Sequence, residues 1–153
     1  MRVWRAEPGE AAAVASLIRE FGEWWAGSPP PQPEIRAGVE RIMAGPDGEF
    51  LLGAAEDGAP ATGVAQVRFR WSVWKSAEDC WLEDLYVREE ARRSGLGRAL
   101  VEACVERGRQ RGCRRIELDV NEENAPARAL YEACGFQTEW KPPGRTLFIG
   151  RAL

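Results

Sequence analysis

The sequence predicts an α+β fold, with a hairpin-rich first half and a β-α-β crossover in the second. Three observations predict it. Two helix-like stretches lie close to the N-terminus. Strand-like runs with a hairpin turn between them follow. A glycine-containing turn then launches a long amphipathic helix between two further strand-like runs.

The elements follow in order. Residues 2–6 are a short strand candidate. Pro8 and Gly9 precede a helix in which Ala12, Val14, Ala15, Leu17, Ile18 and Phe21 recur at a period of about 3.6. Residues 27–33 (GSPPPQP) break that helix, because proline fixes φ and removes a donor. A second helix is expected over 34–43, ahead of Gly45 and Pro46. Residues 50–55 read as a strand and Asp57-Gly58 as a hairpin turn. In the partner strand, 63–74, Val64, Gln66, Arg68 and Arg70 alternate with Ala65, Val67, Phe69 and Trp71. Residues 80–87 (CWLEDLYV) make the next strand. The helix over 95–111 gathers Leu96, Ala99, Leu100, Ala103, Cys104 and Arg107 on one face, and Gly112 ends it. A strand over 116–120, a short helix over 125–134 stopped by Gly135, and a strand over 146–149 complete the order. One more strand is expected over 136–140.

Composition limits the function. The 153 residues suit one domain spanning 1–153, large enough to bury a core. A net charge of -3 and a pI near 5.2 argue against a nucleic-acid partner, which usually meets a basic face. Mild acidity suits a cationic small molecule. No apolar run approaches the roughly 18 residues of a membrane span. Residues 1–10 hold charge and Pro8 but no apolar core of a targeting signal, so a cytoplasmic location is expected. The chain has no histidine, and its four cysteines, Cys80, Cys104, Cys113 and Cys134, are scattered. That speaks against a metal site and excludes a histidine-based triad. The cysteines read as buried free thiols.

The sharpest motif is RRSGLG, residues 92–97, between the CWLEDLYV strand and the long helix. A strand, a glycine turn and a helix N-terminus together make an anion site. First-turn N–H groups lack helical acceptors, and the helix dipole is positive there. Gly95 and Gly97 let phosphate oxygens approach the backbone. Arg92, Arg93 and Arg98 add charge. A P-loop needs Lys-Ser/Thr after its last glycine, and Gly97 is followed by Arg98-Ala99. The dinucleotide fingerprint counted from Gly95 meets Leu100 where a small residue belongs.

The chain resembles the GNAT acetyltransferase superfamily. Its acetyl-CoA loop, Arg/Gln-x-x-Gly-x-Gly/Ala, is matched by Arg92, Gly95 and Gly97. Its Leu-Tyr-Val-like strand end is matched by Leu85, Tyr86 and Val87. Its downstream Asn, Leu-Tyr and Gly-Phe are matched by Asn124, Leu130-Tyr131 and Gly135-Phe136. Leu82, Glu83 and Asp84 also resemble a triplet of the spermidine/spermine acetyltransferases. The resemblance implies a mixed, mostly antiparallel sheet flanked by helices, with a β-α-β unit for acetyl-CoA. It also implies cofactor contacts. The pyrophosphate would sit on backbone N–H groups of residues 93–98, which include Ser94 and Leu96. The pantetheine arm would run beside Leu85, Tyr86 and Val87, in a gap where the strands over 81–87 and 115–120 splay. A backbone N–H near Tyr86 or Val87 would polarise the thioester carbonyl. Asn124 would cap the short helix and hold the arm or a water.

An amine acceptor arrives as an ammonium and must lose a proton. Adjacent strand residues point to opposite faces, so one of Glu83 and Asp84 faces the acetyl group. The resemblance favours Glu83 as general base through water, with Asp84 as runner-up or as part of the acceptor pocket. Tyr131 is the implied acid toward the departing thiolate. The acceptor side is expected from Phe21, Glu23, Trp24, Trp25, and Trp71 or Trp74, since aromatic rings with acidic neighbours hold cations. Trp24 and Trp25 equally suit a core or a homodimer surface. A small cationic amine is the expected acceptor. The alternatives are a protein N-terminus or lysine, or a module that binds acyl-CoA without catalysis. A nucleotide-binding regulator using the RRSGLG loop is a further rival.

Overall fold

The computed structural model describes residues 1–138 and Arg151. β1 (Arg2–Arg5) leads through a short 3-10 turn into α1 (Ala11–Ala26) and α2 (Gln32–Ala44). Then come β2 (Gly48–Ala54), β3 (Gly63–Ser72) and β4 (Ala77–Val87). α3 (Leu96–Gln110), β5 (Ile116–Glu117) and α4 (Ala125–Ala133) complete the described elements. The strands lie in sequence order in one sheet. β1 to β4 pair antiparallel, and β5 joins β4 in parallel after the α3 crossover. This is the expected α+β arrangement of a mostly antiparallel sheet flanked by helices.

Several boundaries differ from the sequence reading, among them the start of β4, at Ala77 rather than 80. α2 starts at Gln32, ahead of the expected 34, because Pro33 occupies its first turn, where a missing N–H costs nothing. β3 stops at Ser72, and the hairpin tip takes the rest of the expected run. β5 keeps only Ile116 and Glu117 of the expected 116–120. The strand expected over 146–149 lies outside the described residues, as do residues 139–140; of the strand expected over 136–140, residues 136–138 are described and form no strand.

The two sheet faces carry separate cores. On one, Leu51, Ala65, Val67, Phe69, Cys80 and Leu82 pack under Leu96, Leu100, Val101 and Cys104 of α3. On the other, Phe50, Leu52 and Val64 pack against Val14 and Leu17 of α1 and Val39 of α2. α3 sits unusually close to the sheet. A Cβ added at Gly53 would stand 2.8 Å from Leu96 Cδ1, and one at Gly63 would stand 2.9 Å from Leu100 Cδ1. Bidentate ion pairs pin the far end of the helix. Arg107 Nε and Nη2 donate to the buried Glu49 at 2.8 Å each, and Arg111 donates to Glu78 at 2.9 and 2.8 Å. Burial alone would raise the Glu49 carboxyl. Its hydrogen bonds from Arg107 and the charges of Arg107, Arg5 and Arg111 outweigh that and hold it below the usual range.

Gly63 faces backbone as well as leucine, since its added Cβ would also lie 3.3 Å from the Tyr86 carbonyl. Gly63→Ala is therefore expected to lower stability by about 1–3 kcal/mol, read as a fall in the denaturation midpoint. A wild-type midpoint would show that α3 has room to lift.

Candidate active site

The turn before α3 is built by local polar contacts. β4 ends at Val87, a 3-10 turn spans Glu89–Ala91, and residues 92–95 then reverse the chain. Arg93 and Gly95 take left-handed φ values of 65° and 92°, a conformation that favours glycine. The Ser94 hydroxyl donates to the Ala91 carbonyl at 2.7 Å and accepts the Leu96 N–H at 3.3 Å. The N–H groups of Gly97 and Arg98 have no intrahelical acceptor at this helix start. Leu96 is fully buried, so it can offer a ligand only its backbone.

The arginines divide their roles. Arg92 Nε donates to the Val87 carbonyl at 3.0 Å, and its guanidinium lies 5.8 Å from the Trp24 ring. Arg98 donates to the Ala133 carbonyl at 3.3 Å. Arg93 is exposed beside the turn. Gly97 has a packing role that the sequence reading did not foresee. A Cβ there would meet Leu130 of α4 at 3.4 Å and Val87 at 3.9 Å, so Gly97 lies at the contact of α3 with α4.

Beside this turn the sheet opens. The β4–β5 ladder holds Cys80↔Ile116 and Trp81↔Glu117, and β5 ends there. β4 runs on to Val87 while paired only on its β3 side among the described residues. Leu85, Tyr86 and Val87 thus leave an open strand edge that leads to the turn. An extended group can add to such an edge.

β4 also carries a bulge. Leu82 pairs with Val67 and Asp84 with Gln66, so Glu83 is an extra residue. Cys80, Leu82, Leu85 and Val87 all pack on the α3 face, whereas Tyr86 packs on the α1/α2 face. The three-residue step from Leu82 to Leu85 breaks the simple alternation assumed from sequence. It sets Asp84 on the Tyr86 face and leaves Glu83 exposed at the bulge. Burial, then the charges of Glu83 and Asp119, push the Asp84 carboxyl up to about 6.

Tyr131 is half-buried against the α3-face core, with its ring 5.8 Å from that of Phe136. Burial, then Cys104 and Asp119, push its phenol up to about 12. The Asp119 charge therefore acts on both Asp84 and Tyr131. Asp119 was missed in the sequence. Its one signal there was an acidic residue in an apolar run expected to lie beside β4. A cleft of about 670 Å³ lines up with Asp119, Tyr131 and Trp81; Glu83 and Asp84 are not on its wall. Asn124 Oδ1 accepts the Ala127 N–H at 3.2 Å, so it caps α4. Among the described residues no cluster of His, Cys, Asp or Glu is fit to hold a metal ion, and no helix is long and apolar enough to cross a membrane.

The end of α1 forms an aromatic wall over Tyr86. Phe21 lies 5.9 Å from the Tyr86 ring, and Trp24 and Trp25 stack on Phe21 at 6.2 and 6.4 Å. Trp24 and Trp25 are 59% and 74% exposed, which removes the core reading. Glu23 pairs with Arg19 on the helix surface. Arg88 grips Glu20 with two hydrogen bonds of 2.8 and 2.6 Å, tying α1 to the end of β4. Trp71 and Trp74 are not part of this wall. Trp71 pairs with Glu78, at the opposite end of the β3–β4 ladder from Tyr86.

Known proteins share this arrangement. Residues 13–136 match the acetyltransferase (GNAT) family. An aminoglycoside N(6')-acetyltransferase type 1 from Stenotrophomonas maltophilia is 33% identical over 136 residues, covering 87% of this chain and 84% of that protein. A thialysine N-epsilon-acetyltransferase from Bos taurus is 29% identical, covering 86% and 81%. A solved structure from Arthrobacter sp. FB24 superimposes with a TM-score of 0.84 at 33% identity, covering 100% and 96%. The glycine turn, the opened β4 edge and these likenesses agree: the chain belongs to the GNAT acetyltransferase family.

Proposed function

We propose that the protein transfers the acetyl group of acetyl-CoA to a primary amine of a small cationic molecule, with both substrates bound together. The observation that carries this reading is the open β4 edge, which runs from the carboxylates at its bulge to the helix N-terminus of α3. The residues suit the cofactor. The N–H groups of residues 93–98 suit a pyrophosphate, and the edge at Leu85, Tyr86 and Val87 suits the amide-rich pantetheine arm. The likeness to enzymes named for aminoglycosides and thialysine supports a cationic amine acceptor. The aromatic wall of Trp24 and Trp25 supports it too.

Asp84 takes the part of general base that the sequence reading gave first to Glu83. A carboxyl titrating near 6 is ionised at neutral pH and is a better proton acceptor than an ordinary aspartate. Glu83, exposed beside it, keeps a cation nearby and raises Asp84 further. In the transfer, the ammonium gives one proton to Asp84, directly or through water. The freed nitrogen pair forms the N–C bond at the thioester carbon. The carbonyl oxygen becomes an oxyanion, stabilised by a backbone N–H near Tyr86 or Val87. On collapse the C–S bond breaks, the sulfur keeps the electron pair, and the Tyr131 phenol supplies its proton. Burial keeps Tyr131 protonated, and the same dry surroundings raise the basicity of the thiolate it meets. The second proton of the former ammonium, left on the nitrogen after attack, passes through water to the Tyr131 phenolate and restores it, and the Asp84 proton leaves to solvent. Thiol release from acetyl-CoA, measured across a panel of amines, tests the reading as a whole. Release with none of them would end it.

Three outcomes are expected. CoA should raise the melting temperature of the wild type. Gly95→Val, which strains a left-handed position, should remove that rise; a folded Gly95→Val with wild-type CoA affinity would move the pyrophosphate elsewhere.

Asp84→Asn should lower kcat/KM by roughly 10²–10⁴-fold, and wild-type activity should fall as pH drops through about 6. Glu83→Gln should lose less. Stability gives a separate sign. A raised carboxyl pKa means that the folded state holds the proton longer, so stability declines as pH rises from about 4 to about 6. Asp84→Asn should therefore be the more stable protein at pH 7.5, with the advantage fading toward pH 4. A dead Glu83→Gln beside an active Asp84→Asn reverses the assignment.

Tyr131→Phe should leave CoA binding within a few fold, because one hydrogen bond is worth about 0.5–1.5 kcal/mol. Turnover should drop much further, and an acyl donor with a more acidic thiol should recover part of it. Loss of stability without any dependence on the leaving group would make Tyr131 a packing residue.

A further inference from the structure

Gln66 is the polar anomaly of the sheet. It lies in the middle of β3, only 6% exposed, on the face shared by Val64 and Tyr86. Among the described residues its side-chain amide has no hydrogen-bond partner. Buried amides without partners are costly and uncommon, and each calls for a reason. The amide is not sealed in. Among the described residues, the side-chain polar atoms that are both fully enclosed and unpaired are Gln32 Oε1 and Thr62 Oγ1. Gln66 therefore opens onto the small space that leaves it 6% exposed.

Its position says what that space is. Along this face of β3, Val64 is covered by α1 and α2, Gln66 comes next, and Arg68 is exposed. Gln66 lies between the covered Val64 and the exposed Arg68. Its partner across the ladder is Asp84, beside the bulge, and the next pair along the same face is Val64 and Tyr86. Tyr86 lies under Phe21 and the tryptophan wall. Directly paired residues have Cβ atoms about 5 Å apart. An ammonium on Asp84 would thus hold atoms two or three bonds away within reach of the Gln66 amide, which both donates and accepts.

Resting on the acetyl-transfer reading above, we infer that Gln66 determines specificity in the acceptor site: its amide binds a hydroxyl or second amino group carried two or three bonds from the reacting amine. The substrate class is then the amino alcohols and diamines, free or within a larger polar molecule, rather than plain alkylamines. A site with a polar group waiting for a partner rejects the analogue that lacks one, because binding leaves that group unpaired.

The test compares three acceptors of similar size: 3-amino-1-propanol, 1,3-diaminopropane and n-propylamine. The wild type should favour the first two over n-propylamine in kcat/KM by at least about ten-fold. Gln66→Met and Gln66→Leu remove the amide at nearly constant volume. They should melt at or above the wild-type temperature, since each deletes an unpaired buried group. Both should shrink the preference to within about three-fold by weakening the polar acceptors, with n-propylamine unchanged or improved. A merely structural glutamine would lower all three together, and that result overturns the inference. So does a preference that survives in both variants. If the wild type releases no thiol with any amine, the acetyl-transfer reading itself fails and takes this assignment with it.

Discussion

The seat of α3 on Gly53 and Gly63 fixes the geometry of everything else. Two adjacent strands give up side chains so that Leu96 and Leu100 can sink onto the sheet. The first turn of the helix is thereby held at the level of the β4 end, and the polar turn has no freedom to stand elsewhere. The ion pairs of Arg107 with Glu49 and Arg111 with Glu78 stop the helix from pivoting about that seat. A helix resting on ordinary alternating side chains would ride higher, and its N-terminal amides would no longer line up with the open strand edge.

The second constraint is a count of residues. One extra residue at Glu83 turns the chain so that Leu85 and Val87 stay in the core while Asp84 and Tyr86 share the opposite face. The bulge gives one carboxylate to solvent and one to a half-buried position on the Tyr86 face. Burial, then the charges of Glu83 and Asp119, push the Asp84 carboxyl up to about 6, which suits it to the base role proposed above.

Much of this was legible in the sequence because it rests on local chemistry. The helix periodicity, the Asp57-Gly58 turn and the RRSGLG junction each declare themselves within a few residues. The Asn124 cap could be read from position alone. What was not legible depends on pairing between distant segments. The bulge exists only relative to β3, so the exposure of Glu83 and the place of Asp84 on the Tyr86 face could not be read along β4 alone. Asp119 matters because β5 breaks off beside it. The exposed tryptophans of the β3–β4 hairpin looked equal to those of α1, and only the register separates them by the length of the sheet.

Arg92 belongs to two neighbourhoods at once. It closes the turn through the Val87 carbonyl, and it lies against Trp24 at the end of α1. Arg88 makes a parallel tie through Glu20. Donor and acceptor ends are thus wired to the same few atoms, and wiring of this kind works in both directions. Any shift of Arg92 toward an arriving anion alters the surface that an arriving amine meets. By thermodynamic reciprocity the amine alters affinity for the anion by the same factor. On the proposed reading, Arg88 and Arg92 would therefore couple the two substrate sites, and neither would load independently of the other.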